Sequence, residues 1–341
     1  MPPAGLRTLR NVLGLPAAVR ARGRPRGARL APEDRQISTT HPTGYLALEP
    51  GLFSHHHEGD HVHYALSGRT AFAVGVSGIG SQTLSGFLRS RRRQGANRVL
   101  LFPLFGADRG AAVEAGFETI RVGQEASLDL RTFSTAGAPM ADLRQMLNRA
   151  ETRYGIHVCE EEVEAIVPEA SLLHARWLQS RAQSKTMGLL VGSPGFSRPG
   201  ARRYFASRVH NKLVAFVTVV PGYCGRGAGI DVLARDPEAP AGAMERLLVG
   251  VAQQLAGEGL ERLSLGCVPL RGVGANDHPL LGRIMKQLHD GRFGNLLFPF
   301  RGLGHFKAKF QPDWCSVYLG AWPQVDVLTL YDGCSLWGLF R

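Results

Sequence analysis

The residues most able to do chemistry in this chain are one carboxylate and a set of cations. Asp231 sits in the strand-like run GIDVLAR, between the glycine-rich GYCGRGAG and a Pro-Glu-Ala-Pro turn. A carboxylate there could hold a substrate ammonium or accept a proton, or it could simply cap a turn or pair with Arg235. Arg235, Lys307 and Lys309 could bind phosphate or stabilise developing negative charge. In FKAKF the alternation predicts a strand, with Lys307 and Lys309 on one face and Phe306, Ala308 and Phe310 on the other. A solvated strand edge would show the same pattern.

Two further clusters suggest chemistry that their context does not support. HHHEGDHVH brings together His55, His56, His57, His61 and His63 with Glu58 and Asp60, all metal-ligand types. Its spacing matches no zinc pattern, so no metal is expected. GRGAG at residues 225–229 looks like a phosphate-cradling loop, but strand-like IDVL follows where a helix N-terminus is required. No Gly-x-Ser-x-Gly elbow occurs. Cys159, Cys224, Cys267, Cys315 and Cys334 form no C-x-x-C pair, which argues against a zinc site or a disulfide framework and for a reducing, cytoplasmic setting.

The elements that must position these residues alternate along the chain. HVHYALSG and TAFAVGV read as a hairpin turning at Ser67-Gly68, followed by a helix at TLSGFLRSRRRQG whose arginines 89 and 91–93 are expected to face solvent. RVLLFPLF reads as a buried strand, RGAAVEAG as a helix stopped by Gly116, ETIRVG as a strand, and ADLRQMLNRAETRYG as an amphipathic helix. The same kinds of element recur from about residue 166: a helix at PEASLLHARWLQSRAQ, two strands turning at His210-Asn211, the strand with Asp231, a strong helix at GAMERLLVGVAQQLAGEG and a strand at LERLSLGCV. The chain has 341 residues, enough for two domains of ordinary size. The expected division is an arginine-rich flexible arm over residues 1–36, one α/β unit over 37–165 and a second over 166–341.

The net charge of +12 attracts phosphate-bearing partners: nucleic acid, anionic lipid or phosphorylated metabolites. Arginine-rich composition alone would give the same sign. The arm could grip such a partner, act as a targeting segment, or be a solvated tail. No run approaches the roughly 18–20 apolar residues that span a bilayer, so no transmembrane segment is expected.

Four segments together resemble the catalytic domain of the lysyl-phosphatidylglycerol synthase (multiple peptide resistance factor) family. The first is GFETIRVGQEASLDLRTFSTAG, with Gly116, Phe117, Gly123, Glu125, Ala126, Asp129, Leu130 and Phe133. The second is LRQMLNRAETRYG, with Arg144, Asn148, Arg149 and Gly155. The third is IDVLARDPEAPAGAMERLL, with Asp231, Arg235, Pro237, Pro240, Gly242 and Met244. The fourth combines LSLGCVPLRGV, with Gly266, Pro269 and Leu270, and FRGLGHFKAKFQPDWCSVYL, with Gly302, Leu303, Phe306, Lys307, Lys309, Phe310, Pro312, Trp314 and Tyr318. The resemblance runs over roughly residues 40–322.

It implies two fused GNAT-like α/β domains and transfer of an aminoacyl group from aminoacyl-tRNA to an acceptor, by family default a lipid hydroxyl such as that of phosphatidylglycerol. A small-molecule amine, hydroxyl or hydroxylamine acceptor and a CoA-dependent acyltransfer are the alternatives. The ester is already activated, so no cofactor and no covalent enzyme intermediate are expected. Asp231, Lys307 and Lys309 are the expected catalytic residues, with Arg235, Arg144, Arg149 and Tyr318 contacting substrate or tRNA. Trp314 and Tyr318 also suit core packing. A freestanding version without the family's membrane flippase is expected, cytoplasmic and in peripheral contact with an anionic membrane. The chain departs from the family at Gly75-Val76-Ser77, where Gly-Asp-Pro is usual, and at Thr186, where a Glu is usual. Two family arginines become Ala234 and Val317, which points to a changed acceptor.

Overall fold

The computed structural model describes residues 36–180, 202–274, 277–291 and 300–336. Thr186 and almost all of the basic arm lie outside the described residues. Among them run strands β1 (Phe53–His57), β2 (Asp60–Ser67), β3 (Thr70–Val74), β4 (Arg98–Leu104), β5 (Glu118–Asp129), β6 (His157–Glu161), β7 (Arg203–Val209), β8 (Lys212–Gly222), β9 (Gly227–Arg235), β10 (Arg262–Pro269) and β11 (Asp313–Trp322). The helices are α1 (Ser81–Arg93), α2 (Gly106–Glu114), α3 (Ala141–Thr152), α4 (Val163–Gln179), α5 (Ala243–Gly257), α6 (Leu281–Asp290), α7 (Phe300–Ala308) and α8 (Val327–Leu336), and a 3-10 segment covers Pro42–Leu48.

All eleven strands join one mixed sheet in the order β1-β2-β3-β4-β11-β5-β10-β9-β8-β7-β6. Only β3–β4 and β9–β10 pair in parallel. β11, late in the chain, lies between β4 and β5, so the early and late halves share strands. The β8 run LVAFVTVV is buried along its whole length, as a strand covered on both faces must be. One cover is α5 with α3: Leu247, Leu248, Val251 and Leu255 pack on Phe205, Val217, Ile230, Leu263 and Leu265. The other cover is α4, over Tyr204, Ala206, Phe216 and Ala234, together with the 3-10 segment. Gly222 and Gly229 permit that second contact, because a Cβ on either would come within 2.5 Å of the Pro42 ring.

Two local expectations fail for physical reasons. Lys307 lies on helix α7 and Lys309 in the turn after it, so the two do not share a strand face. Leu303, Phe306 and Phe310 recur at helical spacing, and that period overrides the short Phe-Lys alternation. Arg91 of α1 does not face solvent; it is buried, stacks over the Tyr64 ring at 4.5 Å and donates to its hydroxyl. His55–His57 form strand β1 paired antiparallel with β2.

Candidate active site

The sheet opens where its C-terminal parallel pair ends. β9 and β10 pair only at Arg262–Gly227, Leu263–Ala228 and Ser264–Gly229; beyond these positions they are no longer hydrogen-bonded to each other. Each strand carries a bulge at that point. In β9, Asp231 and Val232 together oppose Thr218 of β8, whose Oγ1 accepts the Val232 amide at 3.0 Å. In β10, Leu265 is the extra residue between Ser264 and Gly266, which pair with the adjacent Ser127 and Ala126 of β5. Gly266 takes φ +84°, a conformation only glycine adopts freely. Bulges re-aim side chains and free backbone groups, and both happen here.

At the root of the opening lies Glu125 of β5, almost fully buried. His41, which caps the 3-10 segment, accepts the Thr43 amide on Nδ1, leaving its Nε2–H to donate to Glu125 at 3.1 Å. Ser264 Oγ donates to the other carboxylate oxygen at 2.5 Å. Burial pushes the Glu125 carboxyl up, but His41, Ser264 and the Lys307 ammonium outweigh it and hold the group below its ordinary range. Lys307 is itself buried, and its Nζ donates to the Gly266 and Cys267 carbonyls at 2.9 and 3.1 Å. Burial lowers its pKa to about 8. Cys267 is pushed up to about 12 by burial and stays a thiol. The Tyr223 hydroxyl is raised by burial and by the Glu125 charge, and its ring meets His41 edge-on at 5.3 Å.

Asp231 occupies the mouth. Its Oδ2 accepts from Arg202 Nε at 2.6 Å, so its partner is Arg202 and not Arg235. Burial raises the Asp231 carboxyl and Arg202 only partly offsets this. Tyr45 of the 3-10 segment and Tyr204 of β7 feel this pair, and burial raises both phenols, Tyr204 to about 12.

The remaining sequence candidates are dispersed. Arg235 is exposed at the end of β9. Lys309 binds Glu245 of α5 at 2.8 Å. Arg144 donates to the Thr135 and Gly137 carbonyls and closes the loop before α3, while Arg149 is exposed in the last turn of that helix. Tyr318 lies on β11 under the Arg109 guanidinium at 5.0 Å and packs on the core beneath α1 and α2. Trp314 packs beside α5 with Arg271 3.8 Å above its ring. GRGAG leads from a 3-10 turn into β9 and opens no helix. Ala234 and Val317, the two lost arginines, are fully buried in apolar clusters. Their types answer to packing, and they weaken the argument for a changed acceptor. Sequence reading gave no role to His41 or Arg202, and Glu125 entered only as a motif match. Their partners are 84, 29 and 139 residues away along the chain, and no local period reports that.

A shared mixed sheet with a parted parallel pair and buried acid–base groups in the parting defines an α/β protein of the tandem GNAT-like class. Residues 73–321 match the family described as phosphatidylglycerol lysyltransferase, C-terminal, and the chain belongs to that family. It is 27% identical over 245 residues to a phosphatidylglycerol lysyltransferase of Bacillus subtilis, covering 69% of this chain and 27% of that protein. The chain thus spans about a quarter of the length of the curated relatives it matches. The C-terminal domain of an Agrobacterium fabrum protein named as a lysylphosphatidylglycerol synthetase is similar at 26% identity and TM-score 0.72, covering 89% of this chain and 93% of that one. L-PGS from Bacillus licheniformis shares the fold at TM-score 0.73 and 21% identity, with 87% and 91% covered.

Proposed function

We propose that the chain transfers an aminoacyl group from aminoacyl-tRNA to a phospholipid hydroxyl, with the reaction held in the β9–β10 opening. The observation that carries this reading is the pair of bulges: one re-aims Asp231 on β9, and the other frees the Gly266 and Cys267 carbonyls of β10, which hold the Lys307 ammonium reaching in from α7. The acceptor oxygen bonds to the aminoacyl carbonyl carbon, and the ester bond to the tRNA ribose breaks. The hydroxyl proton leaves the acceptor and a proton reaches the departing ribose oxygen, so one ester replaces another.

Asp231 takes the acceptor proton. Its Oδ2 is engaged by Arg202, which leaves Oδ1 for substrate, and its raised proton affinity suits a base. Lys307 has three N–H donors, two of them held by carbonyls. The third meets the oxyanion and then the leaving oxygen. With a pKa near 8 it is mostly protonated at neutral pH and is a better acid than an exposed lysine. Glu125 and His41 act through Lys307, by keeping a negative charge beside it. Arg235, Arg149 and the net charge of +12 draw the tRNA and an anionic lipid surface to the protein. No helix among the described residues is long and apolar enough to cross a membrane, which suits peripheral contact.

The test incubates the protein with phosphatidylglycerol vesicles and tRNAs charged with labelled amino acids. Label in the lipid extract is the expected result. Label in a water-soluble product instead would select a small-molecule acceptor. Transfer to no acceptor, with the aminoacyl ester intact, would remove the reading.

A further inference from the structure

Far from the β9–β10 opening, at the β1 edge of the sheet, strand β1 and helix α1 flank a second, open cleft of about 330 Å³. It is lined by His55 and His57 from the strand, by Gly86, Arg89, Ser90 and Arg93 from the helix, and by Gln94 just after it. No carboxylate lines it. Arg89 and Arg93 are four residues apart on one helical face, both exposed, and neither forms an ion pair with a carboxylate among the described residues. His55 and His57 are two apart on the strand and so share a face. Each carries a buried ring nitrogen without a hydrogen-bond partner, His55 Nε2 and His57 Nδ1. Gly86 makes the close approach possible: a Cβ there would stand 3.1 Å from the His57 ring.

The lining is rich in donors and holds no anion, although the Gln94 amide, the Ser90 hydroxyl and the imidazoles can also accept. Two guanidinium groups, a hydroxyl and two imidazoles match the oxygens of a phosphate group. Two unpaired guanidiniums repel a divalent cation, and no cluster of three metal-ligand side chains occurs among the described residues. Burial lowers the His55 pKa to about 4, with Arg91, His57 and His56 adding to the effect. His55 is therefore neutral at pH 7 and offers an N–H without further charge repulsion.

We infer that this cleft binds a backbone phosphate of the tRNA, as a subsite that anchors the donor away from the reacting ester; the inference rests on the tRNA-dependent reading above. An RNA fits better than a lipid surface. The exposed large apolar side chains among the described residues are Val113, Leu172, Leu280 and Leu328, none of them on β1 or α1, so nothing beside the cleft would insert between lipid chains. Instead the basic track continues along α1 with exposed Arg92, which lies 4.6 Å over the Trp322 ring. A row of fixed cations suits a polyanion.

The experiment titrates the 341-residue chain with uncharged tRNA over a series of salt concentrations. Arg89→Ala with Arg93→Ala should weaken binding about tenfold at low salt and reduce the slope of log affinity against log salt by about 1–2. Arg89→Lys with Arg93→Lys should retain the slope, because the charges remain. The thermal midpoint should hold in both variants, since the side chains are exposed; at saturating charged tRNA, kcat should hold while KM for the donor rises. Unchanged affinity and slope in the alanine variant would overturn the subsite and leave the transfer reading standing. Failure of the unsubstituted chain to bind tRNA at all would remove both. Normal tRNA binding with lost affinity for phosphatidylglycerol vesicles would assign the cleft to lipid headgroups and overturn the RNA subsite.

Discussion

Glu125 and Asp231 are both buried, and each has at least one cationic or N–H donor within reach, yet their surroundings move them in opposite directions. Glu125 has two hydrogen-bond donors, the His41 ring and the Ser264 hydroxyl, and the Lys307 charge besides; it is held below its ordinary range. Asp231 has the Arg202 guanidinium, and burial still raises it. The difference shows that at this depth one guanidinium does not cancel the cost of dehydrating a carboxylate, whereas several converging donors do. It also separates two jobs: a root that holds charge and a mouth that exchanges a proton.

The strongest way to break that division is to remove the cation at the root. Lys307→Met keeps the volume and deletes the ammonium. It should lower single-turnover transfer by about 10²–10³-fold, the range for losing one oxyanion donor. A rate within a few-fold of normal would move Lys307 out of the chemistry. Glu125→Gln is next. It should leave Lys307 without its counter-charge and cost about 3 kcal/mol in urea unfolding, as breaking a buried charge pair does. A cost below about 1 kcal/mol would mean the root is no more than a satisfied hydrogen-bond cluster.

Asp231→Asn tests the mouth. Loss of a general base should lower transfer about 10²-fold with little change in donor KM. A rise in KM at unchanged kcat would make Asp231 a binding group for the aminoacyl ammonium instead. The pH profile sharpens the same contrast. A base must be deprotonated, so activity is lost as pH falls through the Asp231 pKa, which lies above the ordinary carboxylate range of about 4. An acid must be protonated, so activity is lost again as pH rises through about 8, where Lys307 discharges. In Lys307→Met the alkaline limb should vanish and the acid limb remain.

Much of the sheet was legible because its cause is local. β8 shows its double burial as a run of apolar residues, and the hairpins at Ser67-Gly68 and His210-Asn211 show polar turn residues between apolar-rich strands. The family resemblance also singled out Asp231 and Lys307 on the pattern alone. The bulges, the His41–Glu125 contact and the insertion of β11 between β4 and β5 were not legible. Each depends on a register chosen between distant segments, and side-chain period records only which face a residue takes, not which strand lies beside it.

Lys309 carries the smallest predicted effect, and its contrast with Lys307 the clearest lesson. As neighbours on a strand face they would act as one cationic pair, and losing either would cost alike. On a helix end they part: Lys307 enters the protein, while Lys309 remains about a third exposed and meets Glu245 at 2.8 Å on the far side of α7's last turn. A half-exposed ion pair of that kind contributes roughly 0.2–1 kcal/mol. Lys309→Ala should therefore reduce stability by less than about 1 kcal/mol, with the loss shrinking further at high salt, and leave transfer within about twofold of normal. A loss matching that of Lys307→Met would restore the pairing that the alternation suggested, and would require α7 to unwind before the reaction.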